Sequence, residues 1–122
     1  MKSNKLEISK NLLSKITKIP EQYIKKIDIG VSIIKVTKTN DTFEEHNIYE
    51  FLNNCKSFVI SSGFGISSSE DEKGLSVKLS ISGLVIKEFP PTIPEEAILN
   101  YCEWVLNYKK DSLVSELNRS AS

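Results

Sequence analysis

The chain has 122 residues and a mass of 13.7 kDa, with 39% hydrophobic, 26% charged and 8% aromatic residues, and its sixteen cations balance sixteen anions. These values exclude wholesale disorder, a collagen-like repeat and a coiled-coil rod, and no apolar run approaches the ~20 residues that cross a bilayer. The length predicts one domain over residues 1–122. After Met1-Lys2-Ser3-Asn4-Lys5 the chain alternates polar and apolar residues, unlike the continuous apolar stretch of a signal peptide.

Residues 5–18 predict an amphipathic helix, because Ile8, Leu12, Leu13, Ile16 and Ile19 recur at helical spacing while four lysines keep to the polar positions. Pro20 interrupts that pattern, and Pro20-Glu21-Gln22-Tyr23 suits one further short turn. Residues 27–38 predict a strand whose apolar phase flips between Ile33 and Ile34, which calls for a bulge, a twist or burial on both faces. Thr39-Asn40-Asp41 is a turn signal. Asn47-Ile48-Tyr49-Glu50 has the spacing of a helix N-cap with its reciprocal acid, and predicts a helix over about 47–56 after a strand or loop at 42–45. The rival is a return strand over 42–51.

Phe58, Val59, Ile60, Phe64 and Ile66, with Gly63 and Gly65 among them, predict a weak or bulged strand over 57–66. Ser67 to Gly74 read as an exposed polar loop around Glu70, Asp71 and Glu72. The cleanest strand follows, with Leu75, Val77, Leu79 and Ile81 on one face and Ser76, Lys78, Ser80 and Ser82 on the other. After a bend at Gly83, residues 84–89 continue as strand until Pro90-Pro91. Thr92-Ile93-Pro94-Glu95 starts a helix with Ile98, Tyr101, Cys102, Val105 and Leu106 as its core stripe, and residues 112–122 are expected to fray. The sum is an α+β domain in which an antiparallel sheet of about four to five strands packs against N-terminal, middle and C-terminal helices.

Little here supports catalysis. Cys55 and Cys102 have no Cys-x-x-Cys spacing and fall on apolar helix stripes, as buried structural thiols do. With no export signal or disulfide pattern, they point to the cytoplasm. His46 is the only histidine and stands among acids, in the pattern of an exposed residue rather than an oriented base. The acids at 70–72 lack the spacing of a calcium loop, and Ser61-Ser62-Gly63-Phe64-Gly65 lacks the ending of a phosphate loop. No catalytic, metal or cofactor site is therefore expected.

Charge and aromatic placement carry the functional expectation. Residues 1–38 hold nine lysines against three acids, and the rest holds seven cations against thirteen acids. A basic first third suits nucleic acid, although only Arg119 offers the planar fork that reads phosphate and guanine. Trp104 and Tyr108 lie one turn apart on the last helix and suit a protein-interface anchor, or alternatively Trp104 widens the core stripe. The expectation is a protein-binding domain of the kind formed by small bacterial immunity proteins and antitoxins. Glu70, Asp71 and Glu72 would offer charge to a basic toxin domain, and Trp104 and Tyr108 an anchor. A nucleic-acid module using residues 1–38 is the alternative, and an enzyme with dispersed carboxylates the third class.

Overall fold

The computed structural model describes residues 6–120, with side chains as far as Lys109. The elements run α1 (Lys10–Thr17), a 3-10 turn (Glu21–Tyr23), β1 (Ile24–Ile29), β2 (Ile33–Lys38), β3 (Phe43–Asn47), α2 (Ile48–Ser61), β4 (Gly65–Asp71), β5 (Gly74–Ile81), β6 (Leu84–Thr92) and α3 (Pro94–Ser120). The α+β class and the three helices agree with expectation. Among the described residues the strands number six and divide into two antiparallel meanders, β1-β2-β3 and β4-β5-β6.

Capping sets the ends of the first two helices. The Ser9 hydroxyl accepts from the Leu12 N–H at 3.0 Å, so α1 begins at Lys10 rather than at residue 5. Lys5 lies outside the described residues. The α1 stripe places Leu12 and Leu13 at zero exposure, and Lys18 ends the helix in the left-handed region at φ 71°. At α2 the Asn47 carboxamide oxygen accepts from the N–H groups of Tyr49 at 2.9 Å and Glu50 at 3.1 Å, as the spacing predicted. The Ser32 carbonyl accepts from the Ile48 N–H at 2.9 Å, which ties a strand turn to the same helix start.

The phase flip within 27–38 turns out to be a hairpin, not a bulge. Gly30, Val31 and Ser32 form its tip, the Gly30 N–H donates to the Ile33 carbonyl at 2.8 Å, and Val31 is 95% exposed. Reversing the chain lets Ile27 and Ile29 of β1 share a face with Val36 and Ile34 of β2, since directly paired residues point the same way. Both readings of the next segment were partly right: residues 43–47 are the return strand, paired with β2, and the helix starts at 48.

The strand expected over 57–66 is corrected. Phe58, Val59 and Ile60 complete α2, which stops at Gly63 in a Schellman arrangement. Gly63 has φ 96°, its N–H donates to the Ile60 carbonyl at 3.0 Å, and the Phe64 N–H reaches the Val59 carbonyl at 3.4 Å. The loop expected over 67–74 is also corrected: Ser67 to Asp71 belong to β4, in unbroken register with β5, and only Glu72 and Lys73 form the turn. Strand β6 runs through Pro90-Pro91 to Thr92, because it is an edge strand whose register shifts opposite Leu75 and Val77 and so leaves the prolines out of the ladder. Pro94 opens α3 as expected, although Thr92 ends β6 and the first helical bond joins the Ala97 N–H to the Ile93 carbonyl at 2.9 Å. The backbone of α3 continues to Ser120 where fraying was expected, and Ala121 and Ser122 lie outside the described residues.

One core joins the layers. Ile34 and Val36 of β2, Phe51, Leu52, Cys55 and Val59 of α2, Val77 and Leu79 of β5, and Ala97, Ile98, Tyr101, Cys102, Val105 and Leu106 of α3 are all buried. The capping amide at Asn47 is a local test of this fold. Replacing it with Ala should lower stability by about 1 kcal/mol, read as a shift of the urea midpoint at constant m-value.

Candidate functional site

The last helix sets out a surface aromatic group. Trp104 and Tyr108 are four residues apart and therefore neighbours on one face of α3. Their rings stack at 5.1 Å with an interplanar angle of 23°. Phe64 meets Trp104 edge-on at 6.2 Å and Tyr108 edge-on at 5.7 Å, and Phe89 of β6 meets Trp104 edge-on at 6.5 Å. Trp104 is half-buried against the core, while Tyr108 remains 40% exposed. The alternatives weighed for Trp104 thus divide between two residues, with Trp104 extending the core and Tyr108 presenting the ring to solvent. Phe64 and Phe89 are the members that sequence reasoning missed. The signal for Phe64 was Gly63, the helix stop that directs Phe64 back onto the Val59 turn.

The acidic residues stand at the other end of the same sheet. Glu70 and Asp71 close β4, and Glu72 is in the turn to β5. The Asp71 carboxylate accepts from the Lys73 N–H at 2.8 Å. Gly74, at φ 125°, completes the reversal where a Cβ would stand 2.6 Å from the Thr92 carbonyl oxygen. All three acids are exposed. Glu70 is six residues beyond Phe64, so a strand rise of about 3.3 Å per residue separates the acids from the Phe64 end of the aromatic group by roughly 20 Å, with Phe89, in the row of Ser68 and Val77, between them. The two predicted features lie on one sheet but do not form a single patch.

His46 is not the exposed residue expected. It pairs in register with Ile34 and Glu44 pairs with Val36, so both face inward from β3 toward the helices. The Lys38 ammonium is ion-paired with one Glu44 oxygen, and His46 Nε2 lies 3.3 Å from the other. That approach lacks hydrogen-bond alignment, which leaves Nε2 buried without a partner among the described residues. The Lys38 hydrogen bond, reinforced by the charges of Lys38 and His46, holds the Glu44 carboxyl below its ordinary range against an opposing desolvation effect. A cleft of about 480 Å³ adjoins this line, with Thr17, Lys18, Tyr23, Lys38, Thr39 and Glu44 on its walls.

Cys55 and Cys102 are free and fully buried, as expected. The Cys102 thiol points at the Cys55 carbonyl oxygen, 3.7 Å away. Its contact with the Cys55 side chain, followed by burial, pushes the thiol far above its usual range and disfavours the nucleophilic thiolate. Among the described residues, no group of three His, Cys, Asp or Glu side chains is placed to hold a metal ion. No helix among them is long and apolar enough to cross a membrane. A scan of protein families and searches of curated proteins and solved structures find no match to this chain.

The Lys38–Glu44 pair has a pH signature. Glu44 titrates lower in the folded chain than its ordinary 4.5, so its contribution is present above that pH and is lost as pH falls through the folded value. With Glu44 39% exposed, solvent limits the pair to about 0.2–1 kcal/mol. Melting curves between pH 3 and 6 should show a smaller acid-induced loss for Glu44→Gln than for the parent chain, with the difference shrinking in 1 M salt.

Proposed function

We propose that this chain is a non-enzymatic protein-binding domain that masks a surface of its partner, as bacterial immunity proteins and antitoxins mask toxins. The observation that carries this reading is the state of Tyr108: 40% exposed, yet fixed by stacking on Trp104 at 5.1 Å and by the edge of Phe64 at 5.7 Å. An aromatic ring already ordered at the surface loses little conformational entropy on docking and buries a large area, the property of interface hot spots. The acids at 70–72 add a negative field that speeds encounter with a basic partner, while the anchored ring governs dissociation.

Four of the seven described lysines of the first third are interleaved with acids. Lys25 pairs with Asp41, Lys26 with Asp28 and Lys38 with Glu44. Lys35 stands in register between Asp28 and Glu45. Cations interleaved with acids in this way do not form the continuous positive track that follows a phosphate backbone.

A photo-crosslinking residue at position 108 should capture one protein species from the native host, while the same residue at Val31, on the far meander, should not. The captured protein should lose its activity in stoichiometric complex with the chain. Tyr108→Ala should weaken that complex about 30-fold, the equivalent of a hot spot of about 2 kcal/mol. Undiminished binding by Tyr108→Ala would reject the anchor. A mobility shift of DNA or RNA that weakens log-linearly with salt would reject the proposal in favour of phosphate binding.

A further inference from the structure

The two meanders leave four free strand edges: β1, β3, β4 and β6. Free edges template pairing with other chains, and proteins blunt them with lysine, proline, bulges, short strands or inward-pointing charge. Three of these edges carry such devices. Strand β1 has Lys25 and Lys26 beside a register shift between Ile24 and Lys26. Strand β3 is five residues long and turns Glu44 and His46 inward. Strand β6 has Pro90, Pro91 and two register shifts.

Strand β4 has no lysine, proline or bulge, and its one charge on the inward face, Glu70, stands at the rim of the sheet. Its seven residues, Gly65–Asp71, pair with β5 in unbroken register from Ser80 to Gly74, without proline or lysine. Ser67, Ser68 and Ser69 form its centre, with side chains too small to screen the backbone. This open edge also joins the two parts of the candidate site: it begins beside Phe64, Trp104 and Tyr108 and ends at Glu70 and Asp71. At the acidic end, Thr92 stands opposite Leu75, so α3 starts there with Glu95 and Glu96 in its first turn.

We infer that β4 is a docking edge for an extended segment of a partner protein, which adds as a fourth strand to the β4-β5-β6 sheet. This rests on the protein-binding reading above and specifies how the partner is held. Main-chain hydrogen bonds to the outward-facing N–H and C=O groups of β4 supply register, and the two ends supply selectivity. Glu70, Asp71 and Glu72 stand at one end of the sheet with Lys73 among them, so the segment carries Lys or Arg there. At the other end it carries an apolar or aromatic side chain against Tyr108. A second copy of this chain fits poorly. Antiparallel self-pairing about Ser68 would set Glu70 opposite Ile66 and Asp71 opposite Gly65, giving the carboxylates no cation.

The test uses the full chain, labelled with ¹⁵N, and a synthetic peptide of alternating valine and threonine with three lysines at one end and phenylalanine at the other. The peptide is made in both N-to-C orders, since β addition can be parallel or antiparallel. Hydrogen exchange should show new protection at alternate amides within 65–71 for one order. Binding should weaken at least tenfold when the peptide lysines become glutamate, when its backbone nitrogens that face β4 are methylated, or in the Glu70→Lys, Asp71→Lys double variant. Equal binding of the methylated peptide would overturn edge pairing, because side chains alone would then suffice. Lack of β4 protection by either peptide order would overturn it as well. A dimer of the free chain in sedimentation, with residues 65–71 protected, would replace the partner strand by a second copy. Capture of a protein at position 108 without β4 protection in that complex would remove the edge and leave the protein-binding reading standing.

Discussion

The meanders β1-β2-β3 and β4-β5-β6 share no hydrogen-bonded strand pair, so the fold depends on the crossing of α2 and α3 that packs between them. At that crossing the Cys102 thiol approaches the Cys55 carbonyl, and Cys55, Val59, Tyr101, Cys102 and Val105 are almost wholly removed from solvent. Cysteine suits this place on two grounds. Its small side chain lets the helix backbones come close, and a thiol kept protonated introduces no charge into an apolar contact. Tyr101 titrates far above its usual range for a similar reason, chiefly burial, and remains neutral there. From this crossing α3 extends along sheet β4-β5-β6 and carries Trp104 and Tyr108 to Phe64 and Phe89.

Patterns with one dominant period were legible in the sequence. The alternation from Leu75 to Ser82 reads as β5, and the stripe from Ile98 to Leu106 reads as the buried side of α3. Caps were legible where the residue type is specific, as at Asn47. Short apolar runs were not. Phe58-Val59-Ile60 fits a strand or a helix equally well until Gly63 is recognised as a helix stop in the left-handed region rather than a strand bulge. The phase change at Ile33-Ile34 was visible, but a three-residue tip containing Val31 lacks the usual Asn-Gly or Asp-Gly signal of a hairpin.

The candidate site was legible in its residues but not in its geometry. Helical spacing placed Tyr108 beside Trp104, yet nothing local to that helix indicates Phe64, which arrives from forty residues earlier through the Gly63 stop. The serines of β4 have weak strand preference and adjoin charged residues, the composition of a loop. They become strand because β5 offers a regular, half-buried ladder to pair with, a tertiary effect that overrides local preference. His46 shows the converse. Its acidic neighbours suggested solvent, but the hairpin register turns alternate residues of β3 inward, and His46 shares the face of Ile34.

The position of Glu44 and His46 also explains how one sheet closes its edge while the other leaves its edge open. On β1-β2-β3 the last strand turns a carboxylate and an imidazole toward the helices, where Lys38 balances the carboxylate. An incoming strand would have to pack its own inward side chains against that charged line. On β4-β5-β6, strand β4 turns Ile66 and Ser68 inward, and its first charge on that face is Glu70 at the rim. The two sheets have the same number of strands, so this contrast comes from side-chain chemistry at the edge rather than topology. A serine edge also contributes little apolar area, which limits indiscriminate association and makes selection depend on what an approaching chain carries at its two ends.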